Sequence, residues 1–215
     1  MDLGINNLIF QLQEFQQNGF YLLTTSGKQI AVNLALNCLY HNSNEDCLRF
    51  FITGGIEPQK MLSYLENKDM ASSIKAHVYE YNENTLDVTK IVKDLLLQKV
   101  NDEKSLVVLL LQDSLLTKLS KRQLQHTLLS LEEFATEYSL SVVLITHGLF
   151  ENDLVKRLLS ESNHYSGLVS FTDRPNGILM NTLFWREADG HFIQSNNQIK
   201  IDENRVNISD ISESE

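Results

Sequence analysis

The sequence predicts a three-layer α/β domain built on a mainly parallel sheet that ends in antiparallel hairpins. Three observations carry this prediction. Within Ser105–Asp113, residues 106–111 are six consecutive apolar residues, Leu-Val-Val-Leu-Leu-Leu. Six is too few to span a bilayer, and an unbroken run suits a strand buried on both faces. Such a strand needs a covering layer on each side, and the flanking segments alternate between strand-like and helix-like patterns. From Tyr165 onward, strand-like segments follow one another with only turns between them, which predicts hairpins closing one edge of the sheet.

Each element follows from local pattern. Leu3 to Gln17 has helical apolar spacing from Ile5, and Asn18-Gly19 ends it, with Gly19 suited to a left-handed cap. Phe20–Thr25 is a strand, Ser26-Gly27-Lys28 a turn, and Gln29–Tyr40 a helix with Ile30, Leu34 and Cys38 on one face. Leu48–Thr53 is the second strand. Pro58 suits the first turn of a helix reaching Leu65. Ala76–Tyr81 alternates and reads as a less buried strand, and Thr85–Val100 as a helix capped by Asn84 or Thr85. After the apolar strand and a connector, Ser120–Tyr138 is the longest helix, with Leu124, Leu128, Leu131 and Ala135 inward and Ser120 as its cap. Leu140–Thr146 is a strand beside the apolar one, and Phe150–Glu161 a helix. Strands over Tyr165–Thr172, Ile178–Arg186 and His191–Ile201 complete residues 1–201 as one domain. Residues 202–215 are acidic and polar, and read as a flexible tail or linker.

Composition removes several function classes. The net charge of −10 argues against nonspecific nucleic-acid binding, which needs Lys and Arg to displace counterions. It argues equally against a basic face docked on anionic lipid. The N-terminus has no secretory pattern, and no stretch is long enough for direct membrane insertion. Cys38 and Cys47 have no CxxC spacing and suit a reducing, cytoplasmic compartment. The histidines at 41, 77, 126, 147, 164 and 191 show no metal-ligand spacing, so no metal site is expected.

A phosphate-binding turn would fall after the first strand. A working loop reads G-x-x-x-x-G-K-[ST], in which backbone amides cradle phosphate, Lys neutralises it and the hydroxyl holds Mg²⁺. Residues 22–29 read Leu-Leu-Thr-Thr-Ser-Gly-Lys-Gln. Gly27 and Lys28 match, but Leu22 replaces the first glycine and Gln29 the hydroxyl. The plainer reading is a structural turn with a solvated lysine; the other is residual anion binding at Gly27 and Lys28. Asp113 stands where a metal-holding aspartate would follow the apolar strand, yet it lacks a partner carboxylate and reads as a turn residue. His147 lies at the end of the fifth strand and reads as a loop residue rather than a ligand. Trp185 lies among apolar neighbours and reads as core or interface. No GxSxG or GxGxxG occurs, so no catalytic residue and no cofactor are expected.

The element order is that of RecA-type and KaiC-type nucleotide-binding cores. The opening Leu3-Gly4-Ile5-Asn6-Asn7-Leu8, the degenerate first turn, the central apolar strand, and the stretch from Tyr165-Ser166-Gly167-Leu168 through Leu183-Phe184-Trp185 resemble the N-terminal domain of the BcsE family. That family regulates bacterial cellulose secretion. The resemblance implies a RecA-like NTPase domain that has lost catalysis, and a noncatalytic interaction and assembly module. It also implies homodimerisation, and the terminal hairpins, with an exposed sheet edge to protect, make the C-terminal hairpin region or the N-terminal helix the expected contact. Partners would be cellulose secretion proteins, including a small inner-membrane protein that recruits the cytoplasmic chain. Longer members continue into receiver-like and GGDEF-like domains, the latter binding cyclic di-GMP through Arg-x-Gly-Asp. That motif is absent here, so the chain is expected to bind no cyclic di-GMP by itself; it stops where the receiver-like domain would begin and resembles the first third alone. The alternative is a divergent RecA/KaiC-type ATPase or nucleotide sensor.

Overall fold

The computed structural model describes residues 19–41, 47–53, 76–80, 104–112, 116–148, 151–175, 177–186, 192–201 and 208–210. The helices expected over 3–17, 58–65 and 85–100 lie outside them, as does Asp113. The described elements are β1 (Phe20–Thr25), α1 (Lys28–His41), β2 (Cys47–Thr53), β3 (Ala76–Glu80), β4 (Lys104–Gln112), α2 (Lys121–Glu137), β5 (Leu140–His147), α3 (Glu151–Leu159), a 3₁₀ turn at Ser162–His164, β6 (Gly167–Arg174), β7 (Gly177–Arg186), β8 (Phe192–Ile201) and β9 (Ile208–Asp210).

These strands form one nine-stranded sheet in the order β3-β2-β4-β5-β1-β6-β7-β8-β9. The six strands from β3 to β6 are mutually parallel, and β7, β8 and β9 extend the sheet antiparallel. β6 is therefore both the last parallel strand, beside β1, and the first strand of a hairpin. Ile208–Asp210 pairs with Ile199–Ile201, so three residues of the stretch read as a tail belong to the sheet. They also shorten the open edge of β8, a common protection for an edge strand.

The apolar runs become doubly buried strands, because successive residues point to opposite faces. Leu22 of β1, Val107, Leu109 and Leu111 of β4, and Val142 and Leu144 of β5 join one cluster with the buried stripes of α2 and α3. The intervening residues, among them Leu23, Val108 and Val143, are equally buried. They point to the other face, where α1 packs against β4, β5 and β1. The result is helix, sheet, helix, with β4, β5 and β1 at the centre.

α2 shows how locally the helices are specified. Ser120 caps it, its hydroxyl accepting the Gln123 backbone N–H at 3.3 Å while the Gln123 side chain accepts the Ser120 N–H at 2.9 Å. This reciprocal pair satisfies two amides that a helix start leaves without partners. The helix stops where Ser139 takes φ 54°, a left-handed turn position that glycine ordinarily fills. Arg157 of α3 braces the connector before α2. Its guanidinium donates to the carbonyls of Leu116, Thr117 and Leu119 at 3.4, 2.6 and 2.5 Å.

Gly19 has a different role from the one expected of it. Its φ is not left-handed; the only glycine with positive φ among the described residues is Gly148. Gly19 instead leaves space for the ring of Tyr21, which is fully buried.

Candidate functional site

In a sheet of this kind, ligands bind beyond the carboxyl ends of the parallel strands. Register brings Gln112 of β4, His147 of β5, Thr25 of β1 and Phe171 of β6 to a common level there.

The first turn is closed. Leu22, Leu23, Thr24 and Thr25 pair on one side with Leu144–His147 and on the other with Leu168–Phe171. Their amides are taken up by the two ladders and cannot turn toward a phosphate. The Ser26 N–H continues the pattern, donating to the Phe171 carbonyl at 3.1 Å. The Ser26 hydroxyl accepts the Asp173 N–H at 2.9 Å. Only Ser26 and Gly27 separate the end of β1 from the first residue of α1.

A hydroxyl fastens this short connection. Thr25 Oγ1 lies 3.0 Å from the carbonyl of Gly27 and 3.1 Å from that of Thr146, and donates between them. Gly27 also accepts the first helical bond, from the Ala31 N–H at 3.2 Å. A Cβ on Gly27 would meet only Ile30 Cδ1, at 3.8 Å, an ordinary contact. Nothing in the packing requires glycine there, unlike a glycine that admits a close phosphate.

The remaining sequence candidates separate. Lys28 and Gln29 are exposed, and the Gln29 amide donates to Asn33 Oδ1 at 3.2 Å along the helix. His147 is buried and paired within β5 rather than sitting in a loop, which corrects the sequence reading. An apolar strand that continues one residue further explains it. Trp185 is placed by its backbone in β7, opposite Gly167 and Ile193 and next to a ladder irregularity. Cys38 is a buried thiol outside any disulfide, and Cys47 begins β2. Among the described residues no group of three or more His, Cys, Asp or Glu could hold a metal ion, and no helix is long and apolar enough to cross a membrane.

The structure adds polar groups that the sequence did not mark. Thr146, Thr24 and Ser170 stand in register across β5, β1 and β6, all buried. Their row supplies hydroxyls but no acid or base. Between α2 and α3, the buried Glu161 carboxylate accepts from Gln125 Nε2 at 2.8 Å, with Lys121 Nζ at 3.9 Å. Beside it Tyr165 donates its phenol to the Leu158 carbonyl at 2.6 Å. Burial, and then the Glu161 charge, push the Tyr165 phenol well above its ordinary range. These contacts link elements 36 and 7 residues apart and serve packing. No spacing rule in the sequence reveals the longer one.

Sheet order and layers define a RecA-like α/β domain. A KaiC-like protein from the hyperthermophilic archaeon Pyrococcus horikoshii OT3 superposes with a TM-score of 0.64, covering 99% of this chain and 98% of its own, at 14% identity. The ATPase domain of a second protein gives a TM-score of 0.65, covering 92% of this chain and 86% of its own, at 9% identity. Identities this low speak for the fold alone. No curated relative matches the chain in sequence. The family model for the N-terminal domain of the cellulose biosynthesis protein BcsE matches residues 1–207, and the chain belongs to that family. Membership gives it a role in cellulose biosynthesis.

Proposed function

We propose that this domain is a noncatalytic interaction and assembly module of the bacterial cellulose secretion machinery, a RecA-like fold that no longer turns over nucleotide. One observation carries the reading: β1 keeps its ladder pairing through Thr25 and leaves two residues before α1. A phosphate cradle needs a run of free backbone amides, and here those amides belong to the sheet. Gln29 stands where the metal-binding hydroxyl would be. The divergent ATPase reading rests on the fold of its structural neighbours, and the closed turn weighs against it.

In this reading the chain works in the cytoplasm as a homodimer and binds proteins of the secretion system. One of these is a small inner-membrane protein that recruits it to the membrane. It binds no cyclic di-GMP alone, because it lacks the Arg-x-Gly-Asp motif. The test is cellulose output in cells whose own copy is deleted. Full-length protein carrying Lys28→Ala should restore output as well as wild type. Loss of output with normal protein level would support the nucleotide-dependent alternative.

A further inference from the structure

The outer face of α2 is self-complementary. Arg122, His126, Leu129, Glu133 and Glu137 recur at intervals of four, three, four and four residues, which places them on one stripe of a helix. All five are exposed, opposite the buried stripe of Leu124, Leu128, Leu131 and Ala135. Leu129, at the middle, is 40% exposed, one of three large apolar side chains so exposed among the described residues. Positive charge gathers at the start, with Lys121 and Arg122, and negative charge at the end, with Glu132, Glu133 and Glu137.

This polarity runs against the helix's own field. A helix favours acids in its first turn and bases in its last; α2 has no acid in the first and no base in the last. Within one chain the arrangement is unfavourable. Inside the chain Lys121 lies 3.9 Å from the Glu161 carboxylate, and the Glu132 carboxylate lies 3.6 Å from the His164 imidazole. Arg122, Glu133 and Glu137 have no ion-pair partner among the described residues.

We infer that α2 is the contact surface between two copies of this chain, packed antiparallel about Leu129. This rests on the homodimer reading above and names its surface. An antiparallel match about Leu129 sets position 129−n against 129+n. Arg122 then stands level with Thr136, next to Glu137, and His126 with Glu132, next to Glu133. The Leu129 side chains meet at the two-fold axis. Such an axis makes the same patch serve both copies, and each positive helix start then faces the partner's negative end. Charge complementarity favours a second copy over an anionic membrane, which the three glutamates would repel. Of the two surfaces suggested by sequence, the hairpin edge is partly covered where β9 pairs along β8; the N-terminal helix lies outside the described residues.

The test uses two surface variants of the full chain in sedimentation equilibrium at physiological salt. Arg122→Glu with His126→Glu makes the stripe acidic while leaving the Lys121–Glu161 contact in place; Glu133→Lys with Glu137→Lys makes it basic. Each variant alone should dissociate at least about tenfold more readily than wild type, a factor easily read from a binding constant. An equimolar mixture of the two should associate again as a heterodimer. Both changes relieve the conflict with the helix field, so thermal midpoints should not fall, and lost association cannot be assigned to unfolding. Wild type that stays monomeric at high micromolar concentration overturns both the dimer and its surface. A wild-type dimer with equally dimeric variants, and no preference in the mixture, overturns the surface alone.

Discussion

A Cβ added to Gly19 would stand 2.5 Å from the hydroxyl oxygen of Tyr21 and 2.7 Å from its Cζ. Tyr21 is fully buried in β1, between β5 and β6, and has little freedom to retreat. Gly19→Ala should therefore cost about 1–3 kcal/mol, the range for overpacking a tight interior. Gly27→Ala meets only an ordinary contact and should stay within roughly 0.5 kcal/mol of wild type, its cap penalty offset by a less flexible unfolded chain. Urea midpoints of the two variants separate a glycine required by packing from one that is not.

Restoring the missing glycine should not restore a phosphate loop. Leu22 is fully buried in a strand paired on both sides. Leu22→Gly leaves a cavity and loosens the strand, at about 3–5 kcal/mol. The expected outcome is a large drop in stability with no gain in nucleotide binding, read by denaturation and by fluorescent nucleotide titration.

Ser139 stops α2 at φ 54°, a conformation that costs a side chain about 1–2 kcal/mol. Ser139→Gly removes that cost but gives the unfolded chain more freedom. A net gain of about 0.5–1 kcal/mol is expected, visible as a higher thermal midpoint.

The Tyr165 phenol gives stability a pH dependence. Its folded-state pKa is raised, first by burial and then by Glu161, so the neutral form favours the fold. The contribution is complete below the unfolded value, about 10, and is lost as pH rises through the folded one. Tyr165→Phe should cost about 1–2 kcal/mol at neutral pH through the lost bond to Leu158. Its stability should fall less steeply than wild type above pH of about 10. Denaturation curves from neutral to alkaline pH compare the two.

Arg157 binds three carbonyls of one connector, a task that uses the planar fork of a guanidinium. Arg157→Lys should recover little of what Arg157→Ala loses, about 1–3 kcal/mol. Equal stability of Arg157→Lys and wild type would show that charge alone matters there.

Much of the fold is legible in the sequence because its signals are local. The apolar runs in β1, β4 and β5 mark strands buried on both faces, and Ser120 with Gln123 marks the start of α2. Other features depend on partners distant in sequence. β6 lies parallel to β1, 147 residues from Ser26 to the Asp173 amide it accepts, and nothing in its own residues distinguishes that from a hairpin alone. Phe134 is buried beside Ala135 on α2, one position wide of the stripe read from spacing. Three residues of β9 are too few to register a period against a polar background. At the candidate site, sequence identified the altered residues Leu22 and Gln29. The Thr25 hydroxyl that closes the turn gives no motif, because its acceptors are the carbonyls of Gly27 and Thr146.

The central claim is that this RecA-like domain does not turn over nucleotide, and steady-state phosphate release from Mg-ATP tests it most directly. The purified chain and Lys28→Ala should both give the release rate of a protein-free control. Release above that control by wild type, abolished in Lys28→Ala, would contradict the account.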